Sequence, residues 1–143
     1  MAATLRLRSS SALGIEPSKA YAVTLVRLLR DQSRRERADR KALARAATGR
    51  AQSAVAASAA RAQAALAAQA RQLRPDMARA ANDAVAAAIA AIARGYGRLA
   101  TAARAQDAGR YRAADGALRR AHADLAHAIS ALKLLGYKVQ RGA

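Results

Sequence analysis

The sequence predicts an all-α protein: an elongated helical bundle or coiled-coil-like molecule, in which a long basic helix precedes an antiparallel helical hairpin. Ala, Leu, Arg, Lys and Glu account for 89 of the 143 residues, a bias typical of long helices. Apolar residues recur at three-, four- and seven-residue intervals, which is helical spacing. Pro17 and Pro75 stand where helices are expected to begin or end.

The apolar residues are small. Ala supplies 46 residues, whereas Leu, Val and Ile together supply 24, and the chain has no Phe or Trp. An Ala methyl group buries much less apolar surface than a Leu side chain. We therefore expect helices that approach one another closely or that complete their burial on a partner.

The first half of the chain is predicted to be an arm followed by helix. Residues 1–16 carry arginines without a long apolar run and predict a basic flexible arm. Residues 17–74 are expected to form one long Arg- and Ala-rich helix or two helices. Within them, nine of the twelve residues 30–41 are charged, which indicates a solvent-exposed helical segment.

The second half is predicted to be a helical hairpin, residues 75–136, with a turn at 106–109. Gly95 and Gly97 indicate a kink, a break or an unusually close contact in its first helix. In its second helix, large residues recur every seven positions from Tyr111. Gly136 is expected to end this helix, and residues 137–143 to form a short basic tail.

The apolar faces of these helices are expected to pack against one another or against partner helices. The predicted helix-packing residues are Leu25, Leu28, Leu29, Val85, Ile89, Ile92, Tyr111, Leu118, Leu125, Leu132 and Leu135.

The charge is strongly positive. There are 26 Lys and Arg residues against 9 acids, a formal net charge of +17, and such a surplus favours an anionic partner. A GC-rich coding bias would also favour Arg over Lys, but it would not explain the shortage of acids. No acid lies between Asp39 and Asp76. The predicted polyanion-binding residues are therefore Arg40, Lys41, Arg45, Arg50, Arg61, Arg71 and Arg74.

Catalytic and metal-binding patterns are missing from the sequence. There is no Cys, and His122 and His127 are five residues apart, too far around a helix to share one metal ion. No Gly-rich phosphate loop or pair of carboxylates suggests a reaction. We expect no enzyme activity, metal, cofactor or small-molecule substrate.

These observations predict a non-enzymatic structural protein, one subunit of a homo-oligomer or of a larger assembly such as a phage particle, presenting arginines to nucleic acid or an acidic partner. One alternative is a nucleoid-compacting protein that binds DNA or RNA without sequence preference. A second is a peripheral protein on anionic membranes. The N-terminal residues lack the apolar stretch of a secretory signal, and the longest apolar run, residues 84–93, is too short to span a membrane, so we expect the protein in the cytoplasm or within a particle.

Overall fold

The computed structural model describes residues 18–75 and 77–139, and these form four α-helices and no strand. Helix α1 spans Lys19–Arg45, α2 spans Gly49–Gln72, α3 spans Arg79–Arg104 and α4 spans Ala108–Leu134. The predictions of an all-helical protein and of a helix bundle are confirmed. The predicted arm, residues 1–16, lies outside the described residues, as do residues 140–143.

Short polar residues set the beginnings of three helices. The side chains of Ser18, Thr48 and Asp107 each accept a hydrogen bond from the backbone N–H three residues later, at the starts of α1, α2 and α4. Each bond satisfies one of the N–H groups that a helix start leaves without a partner. Helix α3 follows Ala78 and has no such side-chain cap.

The chain between residues 17 and 74 forms two helices, the second of the two possibilities that the sequence left open. Helix α1 ends at Arg45, residues 46–48 reverse the chain, and α2 begins at Gly49. A Cβ atom on Gly49 would lie 2.6 Å from the carbonyl oxygen of Ala103. Gly49 therefore lets the start of α2 approach the end of α3, and α2 folds back along the bundle.

Polar contacts establish the helix directions. Tyr21 at the start of α1 donates a hydrogen bond to Oδ1 of Asn82 at the start of α3 (3.0 Å), and Tyr96 further along α3 donates to Oε1 of Glu36 further along α1 (3.1 Å). Helices α1 and α3 therefore run in the same direction. Asn82 also donates to the carbonyl oxygen of Ala70 near the end of α2 (2.9 Å), so α2 runs in the opposite direction.

Helix α4 is antiparallel to α1 and α3. Gly95 of α3 lies against Leu118 of α4, and the rings of Tyr21 and Tyr137, which follows α4, meet edge to face at 5.2 Å. Helix α3 packs with its backbone close to those of the Ala-rich helices α2 and α4, whereas α1 reaches α3 and α4 through longer side chains. The result is an up-down-up-down four-helix bundle.

The core runs along the whole bundle and draws on all four helices. Leu25, Ile89, Ile92, Leu125 and Leu132 are among its fully buried side chains. Many Ala residues fill the space between them. The core is therefore made of a few large side chains in a matrix of Ala, which matches the composition.

Two expectations need correction. The segment 30–41 is not wholly solvent-exposed, because Gln32 and Glu36 are buried. The basic tail does not begin at Tyr137, because Tyr137 and Val139 pack into the core. Gly136, with φ 87°, ends α4 as expected and turns the chain back onto the bundle.

Candidate polyanion-binding site and a buried polar cluster

The seven basic residues predicted to bind polyanions are all exposed, but the bundle does not bring them together. Arg40, Lys41 and Arg45 lie towards the end of α1. Arg50, Arg61 and Arg71 are spread along α2, which is about 36 Å long at 1.5 Å per residue, and Arg74 follows it. These residues therefore form a dispersed basic surface rather than one site.

Their charges are mostly uncompensated. Arg40 forms an ion pair with Glu36 (Nε to Oε1, 2.7 Å). Among the described residues, Arg45, Arg50, Arg61 and the other predicted cations form no ion pair. Helix α2 contains no acidic residue at all. The surface of α2 therefore presents positive charge without local neutralisation.

A denser group of arginines lines a groove between α3 and α4, which we call the arginine groove. Arg94 and Arg98 line it from α3, and Arg110 and Arg120 from α4. Its volume is about 650 Å³. The floor consists of small residues: Gly97, Thr101, Ala102, Ala113, Ala114 and Ala117.

Small side chains keep the arginine groove open. A Cβ atom built on Gly97 would meet nothing within 4 Å, so this glycine faces free space. Arg110 pairs with Asp107 (Nε to Oδ2, 3.3 Å), whereas Arg94, Arg98 and Arg120 form no ion pair within the described part of the chain. The arginine groove therefore carries a local surplus of positive charge.

The arginine groove was not predicted from the sequence, because the polyanion-binding residues were chosen from the stretch without acidic residues between Asp39 and Asp76. The helical phase was the available signal. Arg94 and Arg98 are four residues apart, and Arg110, Ala113, Ala117 and Arg120 recur at helical spacing, so each set lies on one face of its helix. Only the packing of α3 against α4 shows that the two faces adjoin.

A second group of polar side chains, the polar cluster, consists of the buried residues Glu36 and Tyr96, the partly buried His122 and the exposed Arg40. Oε1 of Glu36 lies 2.7 Å from Nε of Arg40, 3.1 Å from the Tyr96 hydroxyl and 3.0 Å from Nε2 of His122. Oε2 of Glu36 is buried and has no hydrogen-bond partner among the described residues. One carboxylate thus joins α1 to both α3 and α4.

The polar cluster favours an ionised Glu36. Burial alone would raise the pKa of Glu36, but the hydrogen bonds and positive charge of His122 and Arg40 outweigh burial and lower the pKa below its ordinary value of 4.5. Burial, together with the nearby Glu36 charge, raises the pKa of Tyr96, so this hydroxyl keeps its proton and donates. Burial and Glu36 also raise the pKa of Asp39.

The polar cluster borders a smaller groove of about 370 Å³, which Tyr111, Asp115 and Arg119 also line. Asp115 is held by Arg119 at 3.0 Å, so its charge is already paired. Within residues 18–75 and 77–139, no three His, Cys, Asp or Glu side chains are placed so that they could hold one metal ion. No described helix is long and apolar enough to cross a membrane.

The predicted helix-packing residues lie mostly inside this chain. Nine of them are buried: Leu25, Leu28, Leu29, Val85, Ile89, Ile92, Leu118, Leu125 and Leu132. Tyr111 is partly buried against the core, and Leu135 is 46% exposed. The apolar faces that the sequence left without a partner are thus mostly covered by the bundle itself.

Comparison of the chain with protein-family models, with curated protein sequences and with solved structures found no match.

Proposed function

We propose that this protein binds nucleic acid through the phosphate backbone, without sequence preference. The observation that carries the proposal is the arginine surface: unpaired guanidinium groups on α2 and in the arginine groove, on a bundle that buries most of its large apolar side chains. The guanidinium group offers planar, two-pronged hydrogen bonding to phosphate oxygens. Neutralising phosphates releases counterions from the nucleic acid and favours binding at low salt.

The protein exposes little aromatic surface on which bases could stack. Base stacking requires exposed rings, but Tyr21, Tyr96 and Tyr137 are buried and Tyr111 is partly buried. Arginines spread over several helices make contacts that carry no sequence information by themselves. We therefore expect affinity to depend on salt much more than on base sequence.

The test is fluorescence anisotropy with a labelled 20-base-pair DNA duplex between 50 and 200 mM NaCl. With six or more phosphate contacts, affinity should fall roughly 10³-fold or more across this range. Duplexes of unrelated sequence should bind alike. Absence of binding to nuclease-treated protein at 50 mM NaCl, or a strong preference for one duplex, would contradict the proposal.

A second candidate function is that of a subunit in an assembly of identical chains, and one feature favours it. Large apolar side chains are exposed at one end of the bundle, where α1 and α3 begin and α4 ends: Val23 (60%), Met77 (57%), Leu134 (90%) and Leu135 (46%). We call this set the apolar end. Exposed large apolar side chains at one end of a molecule can contribute to a contact with another chain.

Sedimentation velocity on nuclease-treated protein distinguishes the two functions. An assembly subunit should form a defined oligomer that the double substitution Val23→Ser with Leu134→Ser dissociates. The matched control, Thr24→Ser with Ser130→Ala, changes exposed positions near by without removing apolar surface from the apolar end. A monomer at all concentrations would exclude self-assembly and leave nucleic-acid binding as the function.

A further inference from the structure

We propose that the arginine groove between α3 and α4 is the main binding site for the nucleic-acid backbone. It binds about three consecutive phosphates of one strand. This inference rests on the proposed function and specifies its site. It places the main contact on residues outside the acid-free stretch of the sequence.

The length of the groove fits a short run of phosphates. Its lining runs along α3 from Arg94 to Ala102, a distance of roughly 12 Å at 1.5 Å per residue. One strand of duplex DNA carries a phosphate about every 3.4 Å of axis, but the backbone winds around that axis, so successive phosphates lie farther apart along the strand and this length holds about three of them. Arg94 and Arg98, about 6 Å apart along the helix axis, can hold different phosphates of the run.

The positive charge of the groove is concentrated on a few exposed arginines that are available to contact phosphates. Arg94, Arg98 and Arg120 form no ion pair within the described residues, and all three are exposed. Arg110 already pairs with Asp107 and is the weaker contributor. Arginines that line one groove from two helices can act on the same phosphates, whereas arginines spread along α2 act on separate ones.

The small residues on the floor of the groove allow a nucleic-acid strand to approach the helix backbones closely. Gly97 leaves open space where a side chain would stand, and Ala113, Ala114 and Ala117 add only methyl groups. A strand can therefore lie between the two rows of arginines rather than touch only their tips.

The first experiment removes equal charge from two places. Variant R94Q/R98Q/R120Q removes three groove cations, and variant R61Q/R71Q/R74Q removes three of the cations predicted from sequence, so both lower the formal net charge of +17 by three. Binding is measured with the same labelled 20-base-pair duplex at several salt concentrations, and circular dichroism checks the fold of both variants.

We expect the groove variant to bind about tenfold or more weakly than the control variant at low salt. We also expect its salt slope to fall by roughly 2.7, since each lost phosphate contact removes about 0.9. Equal losses in both variants would overturn the groove proposal and leave the proposed function standing. Failure of the wild type to bind would instead overturn the proposed function.

The second experiment blocks the groove without changing charge. Gly97→Met places a side chain on the floor, where a Cβ meets no atom within 4 Å, and Ala64→Met adds the same side chain to the exposed face of α2. Gly97→Met should weaken duplex binding at least threefold while Ala64→Met leaves it unchanged. Wild-type affinity in a folded Gly97→Met protein would overturn the inference.

Discussion

Glu36 joins three helices through a single side chain, although the sequence around it is among the most charged in the protein. Its Oε1 accepts from Tyr96 and Arg40 and lies 3.0 Å from Nε2 of His122. Since the backbone of α1 does not approach α3 or α4 closely, these polar contacts are important for holding α1 on the bundle. Hydrogen bonds to an ionised group contribute more than neutral ones, about 1.5–3 kcal/mol each.

Substituting Glu36→Gln should therefore lower the free energy of unfolding by about 2 kcal/mol at pH 7. The pKa of Glu36 is lower in the folded state than its ordinary value of 4.5, so its stabilisation is present above that value and is lost as the pH falls through the folded pKa. Urea unfolding at pH 7 and pH 4 tests both points. Below pH 4.5, the difference between wild type and variant should shrink; a constant difference would contradict the assignment.

Unlike Glu36, Gln63 is a polar side chain in the core that has no hydrogen-bond partner among the described residues. It is fully buried, and neither its Nε2 nor its Oε1 has a hydrogen-bond partner among the described residues. A buried polar group without a partner costs about 1–3 kcal/mol, because it loses its hydrogen bonds to water.

Gln63→Met keeps the length of the side chain and removes the polar amide, so we expect the free energy of unfolding to rise by about 1–3 kcal/mol. The control is Gln52→Met. Gln52 is only partly buried and its Nε2 donates to the carbonyl oxygen of Ala46 (3.3 Å), so this substitution should not stabilise the protein. Thermal and urea unfolding of both variants provide the measurement, and destabilisation by Gln63→Met would refute this account.

At the scale of the helices, the packing of α3 against α4 depends on a glycine on the face of α3 that meets α4. Gly95 and Gly97 are two residues apart on α3 and point to different sides. A Cβ on Gly95 would lie 2.7 Å from Cγ of Leu118, whereas a Cβ on Gly97 would meet nothing. The close approach of α3 and α4 therefore requires one glycine and not the other.

Gly95→Ala should destabilise the protein by about 1–2 kcal/mol, since overpacking exceeds the gain in helix propensity. Gly97→Ala should stabilise it by about 0.5–1 kcal/mol, because Ala restricts the unfolded chain and favours helix without a clash. Thermal unfolding of the two single variants is the measurement. Effects of the same sign would show that the helices do not meet at Gly95 as described.

At the scale of the whole molecule, the net charge of +17 opposes the compact state, because like charges are brought together on folding. Salt screens this repulsion, with a Debye length of about 10 Å at 0.1 M. Raising NaCl from 20 to 300 mM should increase the unfolding free energy by about 1 kcal/mol, or the melting temperature by roughly 4 °C.

Differential scanning fluorimetry in NaCl, with R61Q/R71Q/R74Q as the comparison, tests this. The variant carries less charge and should gain less from salt. The wild type should also be stabilised by the 20-base-pair duplex at low salt, since a ligand that binds only the folded state raises the melting temperature. Melting that is insensitive to both salt and DNA would contradict the role assigned to the charge.

The sequence by itself determined the helical class, the basic charge, the turn at 106–109 and the end of α4, because these depend on composition, local propensity and turn residues. Asp107 and Gly136 acted as local signals, and the apolar spacing identified core residues such as Leu25 and Leu125. Only the tertiary structure decided that α2 folds back on α1, that Glu36 and Gln63 are buried, and that arginines of α3 and α4 share one groove. These features depend on which helix faces meet across the bundle. Packing between residues that are distant in the chain determines which faces meet, and a local sequence pattern does not contain this information.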